Sequence, residues 1–413
     1  MVRDRFDAAV ESDSPAPRFL FYSHDGLGLG HIRRNLAIAR ALTETTARAS
    51  ILLATSAERA DALGLAENVG LLRLPALRKV TNGNYAARRL PMPAAAVSRL
   101  RSDLLVAAVS SFAPDVLLVD KHPLGANGEL ELALDALADV GGCAVVGLRD
   151  ILDEPEAVAA EWASHRIPEV IAQRFERVLV YGDATVFDPI VGYEIPGEVV
   201  AKTRFCGYVS TPERADHGAL QALRGFPFGA RSRPLVLATA GGGEDGVELL
   251  DAFVDAMAGT GWDAIVVAGP QATDRAVTGI RRRALASGIA FRSFVPQLAG
   301  WFGGVDALVC MGGYNTLTEA VSRGTPTVCI PRVRPRREQL MRAEAFERLG
   351  LLQTLHPDFL SPAALRQAVE SALSRSRYEL ATRAHQALDF EGAQRASRNL
   401  LELAHEPVAA GAP

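Results

Sequence analysis

The stretch Phe19-Leu-Phe-Tyr-Ser-His-Asp-Gly-Leu-Gly-Leu-Gly-His31 runs from an apolar strand through three glycines into a helix. The same grammar returns in the second half as Leu235-Val-Leu-Ala-Thr-Ala-Gly-Gly-Gly-Glu-Asp-Gly246. A third corner of this kind reads Cys310-Met-Gly-Gly-Tyr-Asn-Thr-Leu-Thr-Glu319. Helix starts carry unpaired backbone N–H groups and the positive end of the dipole, which suit a phosphate. Two such units, one per half, predict two lobes with a nucleotide-activated substrate between them.

Working outward, short apolar strands alternate with helices, the rhythm of βαβ units and a parallel sheet. The first half predicts strands at Arg18–Ser23, Ser50–Thr55, Leu71–Leu74, Asp115–Val119, Cys143–Leu148 and Val178–Tyr181, with helices at Gly30–Leu42, Ala94–Ser110 and Glu129–Ala138. Asp183 to Gly207 reads as irregular, with Pro189, Pro196 and several glycines. The second half predicts strands at Leu235–Ala240, Ala264–Ala268, Ala290–Phe294, Ala307–Cys310, Thr327–Ile330 and Leu351–Leu355. The expected division is a first α/β domain over residues 18–207 and a second over 208–380. A last helical stretch within 381–405, Ala381 to Ala404, is long enough to cross back onto the first domain. Residues 1–17 and 406–413 read as disordered tails.

Composition bounds the partners. A net charge of -4 over 413 residues and a pI near 6.1 give no global case for nucleic-acid binding. No run is long and apolar enough to span a bilayer, and the charged N-terminus lacks the apolar core of a signal peptide. Cys143, Cys206, Cys310 and Cys329 are far apart and read as buried free thiols, hence a reducing cytoplasm. Arg88 to Arg101 mixes arginines with Leu90, Met92, Val97 and Leu100. It is either a peripheral membrane face or an amphipathic core helix with its loop.

The first glycine turn fails as a dinucleotide fingerprint. From Gly26 and Gly28 the third glycine position falls on His31, and the second strand ends Ala54-Thr55-Ser56 without a ribose-binding acid. His31 reads better for itself: at a helix start, at a strand's carboxyl end, a neutral imidazole can act as a general base, or it can be a structural histidine that caps the loop. Asp120, closing Val116-Leu-Leu-Val-Asp120, can orient His31, accept a proton itself, or simply form the turn before Lys121-His122-Pro123. Arg149 and Asp150 can hold an acceptor hydroxyl or pair on the surface, and Asp25 is open in the same way. Gly241, Gly242 and Gly243 let backbone approach a charged oxygen. Gly312 and Gly313 do the same at the third corner, where Asn315 or Thr316 can cap the helix or touch phosphate. Glu319, one turn on, can accept two ribose hydroxyls. Arg332, Arg334, Arg336 and Arg337 can meet a pyrophosphate or an acidic sugar, or form a solvated charge run. Glu338 and Gln339 can grip sugar hydroxyls.

These motifs resemble the GT-B glycosyltransferases, in the family 28 branch that includes MurG and the monogalactosyldiacylglycerol synthases. The resemblance is carried by Gly28-Leu-Gly-His31 with Leu36 to Leu42, by Phe294-Val-Pro-Gln297, by Met311 to Glu319, by Gly324-Thr-Pro-Thr-Val328, and by Pro331 to Gln339 with Ala343 to Gly350. It implies two Rossmann-like doubly wound parallel-sheet domains facing across a cleft. It further implies a nucleotide diphosphate sugar, UDP-linked, bound by the second domain, and a small-molecule or lipid acceptor on the first. By position, Phe294 and Val295 read the base and Glu319 holds the ribose. The turns at Gly312-Gly313-Tyr314 and Gly241 to Gly243 take the pyrophosphate, while Glu338 and Gln339 take the sugar. His31 stands near the reacting centre, with Gly28, Gly30 and His122 on the acceptor side. The branch implies inversion with neither metal nor resident cofactor. Two other readings share this architecture: a nucleotide-sugar 2-epimerase and a non-catalytic nucleotide-sugar binder.

Overall fold

The computed structural model describes residues 16–23, 30–57, 60, 63–81, 84–211, 223, 233–242 and 245–405. Asp25, Gly26, Gly28, Gly243 and Glu244, and most of both expected tails, lie outside them.

In the first domain β1 (Arg18–Ser23) leads into α1 (Gly30–Thr45) and β2 (Ser50–Thr55), followed by β3 (Val69–Arg73). A hairpin of β4 (Leu77–Thr81) and β5 (Asn84–Ala87) precedes α2 (Ala94–Phe112). Then come β6 (Val116–Asp120), α3 (Glu131–Asp139), β7 (Cys143–Arg149), α4 (Pro155–His165), α5 (Ile167–Arg174) and β8 (Arg177–Tyr181). The stretch expected to be irregular instead holds α6 (Pro189–Gly192), α7 (Gly197–Lys202) and the edge strand β9 (Thr203–Phe205). Its prolines start helices: Pro189 opens α6 and Pro196 is the N-cap of α7, positions where a missing N–H costs nothing. The seven parallel strands run β3-β2-β1-β6-β7-β8-β9.

The second domain holds β10 (Leu235–Thr239), α8 (Val247–Met257), β11 (Asp263–Val267), α9 (Asp274–Ala286) and β12 (Ala290–Arg292). A 3-10 segment over Leu298–Gly304 precedes β13 (Ala307–Cys310), α10 (Tyr314–Ser322), β14 (Thr327–Cys329), α11 (Glu338–Arg348), β15 (Gln353–Thr354) and α12 (Pro362–Leu373). Its six parallel strands run β12-β11-β10-β13-β14-β15. Central strands β1, β6, β10 and β13 are buried almost throughout. Helices cover both faces of such sheets, so their strands read as unbroken apolar runs.

The single helix expected over Ala381 to Ala404 is broken. It is α13 (Arg377–Ala387) and α14 (Gly392–His405), and the residues between them pair with the chain that joins the domains. The Tyr208 N–H donates to the Asp389 carbonyl at 2.7 Å and the Gly392 N–H to the Tyr208 carbonyl at 3.1 Å. A Cβ at Gly392 would lie 2.5 Å from the Gly207 carbonyl oxygen, so this approach needs glycine. Beyond the break α14 packs on α1, burying Ala393, Ala396, Leu400 and Leu403.

In the Arg88–Arg101 stretch Val97 and Arg101 are fully buried while Leu90, Met92 and Leu100 are exposed. Arg101 therefore belongs to the core and not to an outward basic face. Among the described residues no helix is long and apolar enough to cross a membrane. All four cysteines are free, and Cys206, Cys310 and Cys329 are buried. Burial pushes the Cys206 thiol up to about 12, so it is a poor nucleophile.

Candidate active site

Strand order reverses between β1 and β6 in the first sheet and between β10 and β13 in the second. Ligands of open α/β sheets bind at such switch points, outside the carboxyl ends of the strands. Here the two switch points line one cavity of about 710 Å³. The starts of α1 and α10 touch across it: the Asn315 side-chain amide donates to the Gly30 carbonyl at 2.9 Å. Arg33 adds a second tie, donating to the Pro296 carbonyl at 3.1 Å.

His31 sits in the first turn of α1, lines the cavity and keeps 21% of its side chain exposed. Its Nδ1 lies 3.3 Å from Asp120 Oδ1. Asp120 is fully buried, and Arg34 Nη2 donates to both of its oxygens at 2.6 Å. Burial alone would raise this carboxyl, but Arg34 and then His31 outweigh it and hold it at about 2. Arg34 is sandwiched by aromatic faces, 5.2 Å from the Tyr181 ring centre and 5.3 Å from that of Tyr314, an arrangement that favours a buried guanidinium. The Arg34 partnership was not anticipated. The local signal was its position three residues after His31, on the same helix face.

On the second domain Gly241, Gly242, Phe294, Val295, Gly313, Tyr314, Asn315, Thr316, Glu319, Glu338 and Gln339 all line the cavity. Glu319 is more committed than expected. Its Oε1 accepts from the Thr211 N–H at 2.9 Å and its Oε2 pairs with Arg323, so a ribose hydroxyl would have to share these oxygens. Gln339 Oε1 accepts from the Arg332 N–H at 3.0 Å. Glu338 Oε1 accepts from Arg332 at 2.8 Å, while its Oε2 is buried without a partner among the described residues. Tyr314 accepts from the Val209 N–H at 3.1 Å and so fixes the start of α10 against the interdomain chain.

Four expected site residues lie elsewhere. Gly312 does not line the cavity but is packed beneath the corner: its φ is 84° and a Cβ there would meet Cys329 Sγ at 2.9 Å, so packing alone requires glycine. Asp150 faces the core, accepting from the Tyr208 hydroxyl at 2.5 Å and from the Ile151 N–H at 2.7 Å. It is fully buried, so it is not a surface ion pair, and it does not line the cavity. His122 is in the turn after β6, bonded through its backbone to Asp120 and Gly125, and does not line the cavity. Arg337 also stays out of the cavity. Its backbone N–H donates to Asp153 Oδ1 at 2.8 Å and its guanidinium to Glu154 at 2.5 Å. Arg149, by contrast, does line the cavity.

The arginine run is thus in large part a clasp between domains. Arg336 adds a bond to Glu161 at 2.6 Å, again from second domain to first. The Arg337–Glu154 pair is exposed and the Arg336–Glu161 pair half-buried, and near-surface pairs of this kind contribute about 0.2–1 kcal/mol each. The double variant Arg336→Ala/Arg337→Ala is therefore expected to melt within a few degrees of the parent. Small-angle scattering of the same variant should show a larger radius of gyration, because the lobes lose bonds on this edge of the cleft. An unchanged radius would remove the clasp.

No family model matches the sequence, and no curated protein matches it. Solved structures match in shape over nearly the whole chain. The calicheamicin glycosyltransferase CalG4 is 16% identical, with a TM-score of 0.60 over 97% of this chain and 100% of that one. A UDP-glucosyltransferase from Polygonum tinctorium is 14% identical, with a TM-score of 0.63 over 96% and 100%. MurG of Acinetobacter baumannii is 13% identical, with a TM-score of 0.57 over 94% and 99%. The likeness runs over nearly the whole of each of these glycosyltransferase chains, and the chain has their two-domain GT-B fold.

Proposed function

We propose that the protein is a glycosyltransferase that moves a sugar from a nucleoside diphosphate sugar, UDP-linked in the first instance, to an acceptor nucleophile. The observation that carries this reading is the His31–Asp120–Arg34 constellation, set at one switch point directly across from the glycine-edged corners of the other. Its likeness in fold to a UDP-glucosyltransferase supports the choice of donor.

Arg34 Nη2 is committed to Asp120 at 2.6 Å, closer than its 3.2 Å approach to His31 Nδ1. With its proton on Nδ1, pointed at Asp120 Oδ1 3.3 Å away, the ring leaves Nε2 as the base. Asp120 at about 2 is too weak a base at neutral pH to take the acceptor proton itself, so its role is to orient the ring and stabilise the imidazolium that forms. The acceptor oxygen attacks the anomeric carbon as its proton passes to His31. The carbon–oxygen bond to the diphosphate breaks on the opposite face, which inverts the centre. The backbone amides at Gly241-Gly242 and at the start of α10, with Arg332 nearby, meet the charge that develops on the departing diphosphate. This scheme calls on no metal and no resident cofactor.

Thermal shift with a panel of nucleoside diphosphates tests the reading. A ligand of the native state present at 100 times its Kd stabilises by about 2.7 kcal/mol, so UDP should raise the melting temperature by several degrees. UDP-sugars should then be consumed when acceptors are screened. Silence across the UDP, dTDP and GDP series would discard the proposal, and epimer formed from UDP-N-acetylglucosamine alone would replace it with an epimerase.

A further inference from the structure

Lys121 and Arg149 stand at the carboxyl ends of neighbouring strands, β6 and β7, and both line the cavity. Lys121 holds a left-handed backbone with φ 74°, rare for a residue with a Cβ, and its N–H is fixed to the Gly147 carbonyl at 2.8 Å. Arg149 Nε is buried without a hydrogen-bond partner among the described residues. The Nε atoms of Arg332 and Arg342 are unpartnered too, but their terminal nitrogens are bonded, Arg332 to Asp245 and Glu338 and Arg342 to the Ile151 carbonyl, and Arg336 is bonded to Glu161. Glu338 acts on both Lys121 and Arg149 at a distance, but its Oε1 already belongs to Arg332. Burial, then Arg336 and Arg149, push the Lys121 amine down to about 7. Burial, then Arg342, lower the Arg149 guanidinium to about 10. Two basic side chains from adjacent strand ends at one cavity wall, neither bonded to a carboxylate among the described residues, form a place for an anion.

We propose that Lys121 and Arg149 form an anion subsite that takes a carboxylate or phosphate of the acceptor, so that the acceptor is an anionic molecule. The proposal rests on the glycosyl-transfer reading of this cavity. Its assignment to the acceptor follows from placement: both residues belong to the first sheet and Lys121 directly follows Asp120, whereas the glycine corners assigned to the diphosphate belong to the second.

The chain has three lysines, Lys79, Lys121 and Lys202, which makes amine footprinting decisive on the unaltered protein. The Lys202 amine is held by the carbonyls of Ala172 and Phe175 at 2.7 and 2.9 Å and serves as a control. The protein is reductively methylated near pH 7.5, with and without UDP, in the presence of glycerol 3-phosphate, inorganic phosphate or glycerol, and the sites are quantified by peptide mass spectrometry. Glycerol 3-phosphate at ten times its Kd is expected to slow methylation of Lys121 about tenfold by mass action. Lys79 and Lys202 should be unaffected, and glycerol should protect nothing. A parallel arm compares UDP-glucuronic acid with UDP-glucose. Protection by the glucuronate together with none by either phosphate probe would give the anion to the donor and overturn the acceptor assignment. No protection by any anion would overturn the subsite. Failure of UDP to shift the melting temperature would instead strike the glycosyl-transfer reading, with Lys121 protection still reporting on the subsite. The variant Lys121→Gln/Arg149→Gln should lose glycerol 3-phosphate binding and melt no lower than the parent, because it removes mutual repulsion. Retained binding in that folded variant would also overturn the subsite.

Discussion

His31→Ala is expected to reduce sugar transfer by about 10²–10⁴-fold, the range of a lost general base, with UDP affinity within a few-fold of the parent. The asymmetry follows from placement. His31 belongs to the first sheet's switch point, and the groups assigned to the diphosphate belong to the second. Its removal withdraws proton capture and leaves the donor's contacts intact. Asp120→Asn should also lower turnover, because an amide can donate to Nδ1 and so favour the wrong tautomer. That variant also leaves Arg34 buried against a neutral partner, so its melting temperature should fall, whereas that of His31→Ala should change little. Turnover by His31→Ala within a few-fold of the parent would end the base assignment. A matching loss of UDP affinity would relocate His31 to the donor.

The sheet architecture was legible because both faces of each central strand are covered, leaving continuous apolar words such as Val116-Leu-Leu-Val and Leu235-Val-Leu-Ala. His31 and Asp120 were legible because each stands where such a word meets a turn. Asp150 stands at an equivalent place after β7, yet the Tyr208 hydroxyl draws it into the core. A strand-end carboxylate by itself therefore does not mark a cavity-facing group. Arg337 misled for a related reason. Charge density after β14 was visible, but its partners, Asp153 and Glu154, lie more than 180 residues earlier in the chain. The break before α14 was invisible locally, because the groups that impose it are the backbone of Tyr208 and the lack of a Cβ at Gly392.

The same limit hid Arg101, and replacing it is expected to have the largest effect on stability. Arg101 and Glu129 have no exposed side-chain surface. The guanidinium donates through Nε to Glu129 Oε2 at 2.7 Å, through Nη2 to Oε1 at 2.6 Å, and through Nη1 to the Pro75 carbonyl at 2.7 Å. Tyr22 of β1 donates its hydroxyl to the same carboxylate. Burial, then Glu129, raise its phenol far above the ordinary value, so it remains a donor. One cation thereby fastens α2 to the loop after β3 and to the turn before α3, beside a central strand. Arg101→Met keeps much of the volume but leaves Glu129 charged and buried without its cation. Breaking one side of a buried pair in this way costs about 3–5 kcal/mol, and for a chain of 413 residues the melting temperature should fall by about four to six degrees. Arg101→Met/Glu129→Gln removes the stranded charge and should recover most of that loss, since a buried pair replaced on both sides is often nearly neutral. Thermal denaturation of the two variants beside the parent decides it. A double variant no more stable than Arg101→Met would mean that lost packing and the orphaned Pro75 carbonyl, and not the uncompensated carboxylate, carry the penalty.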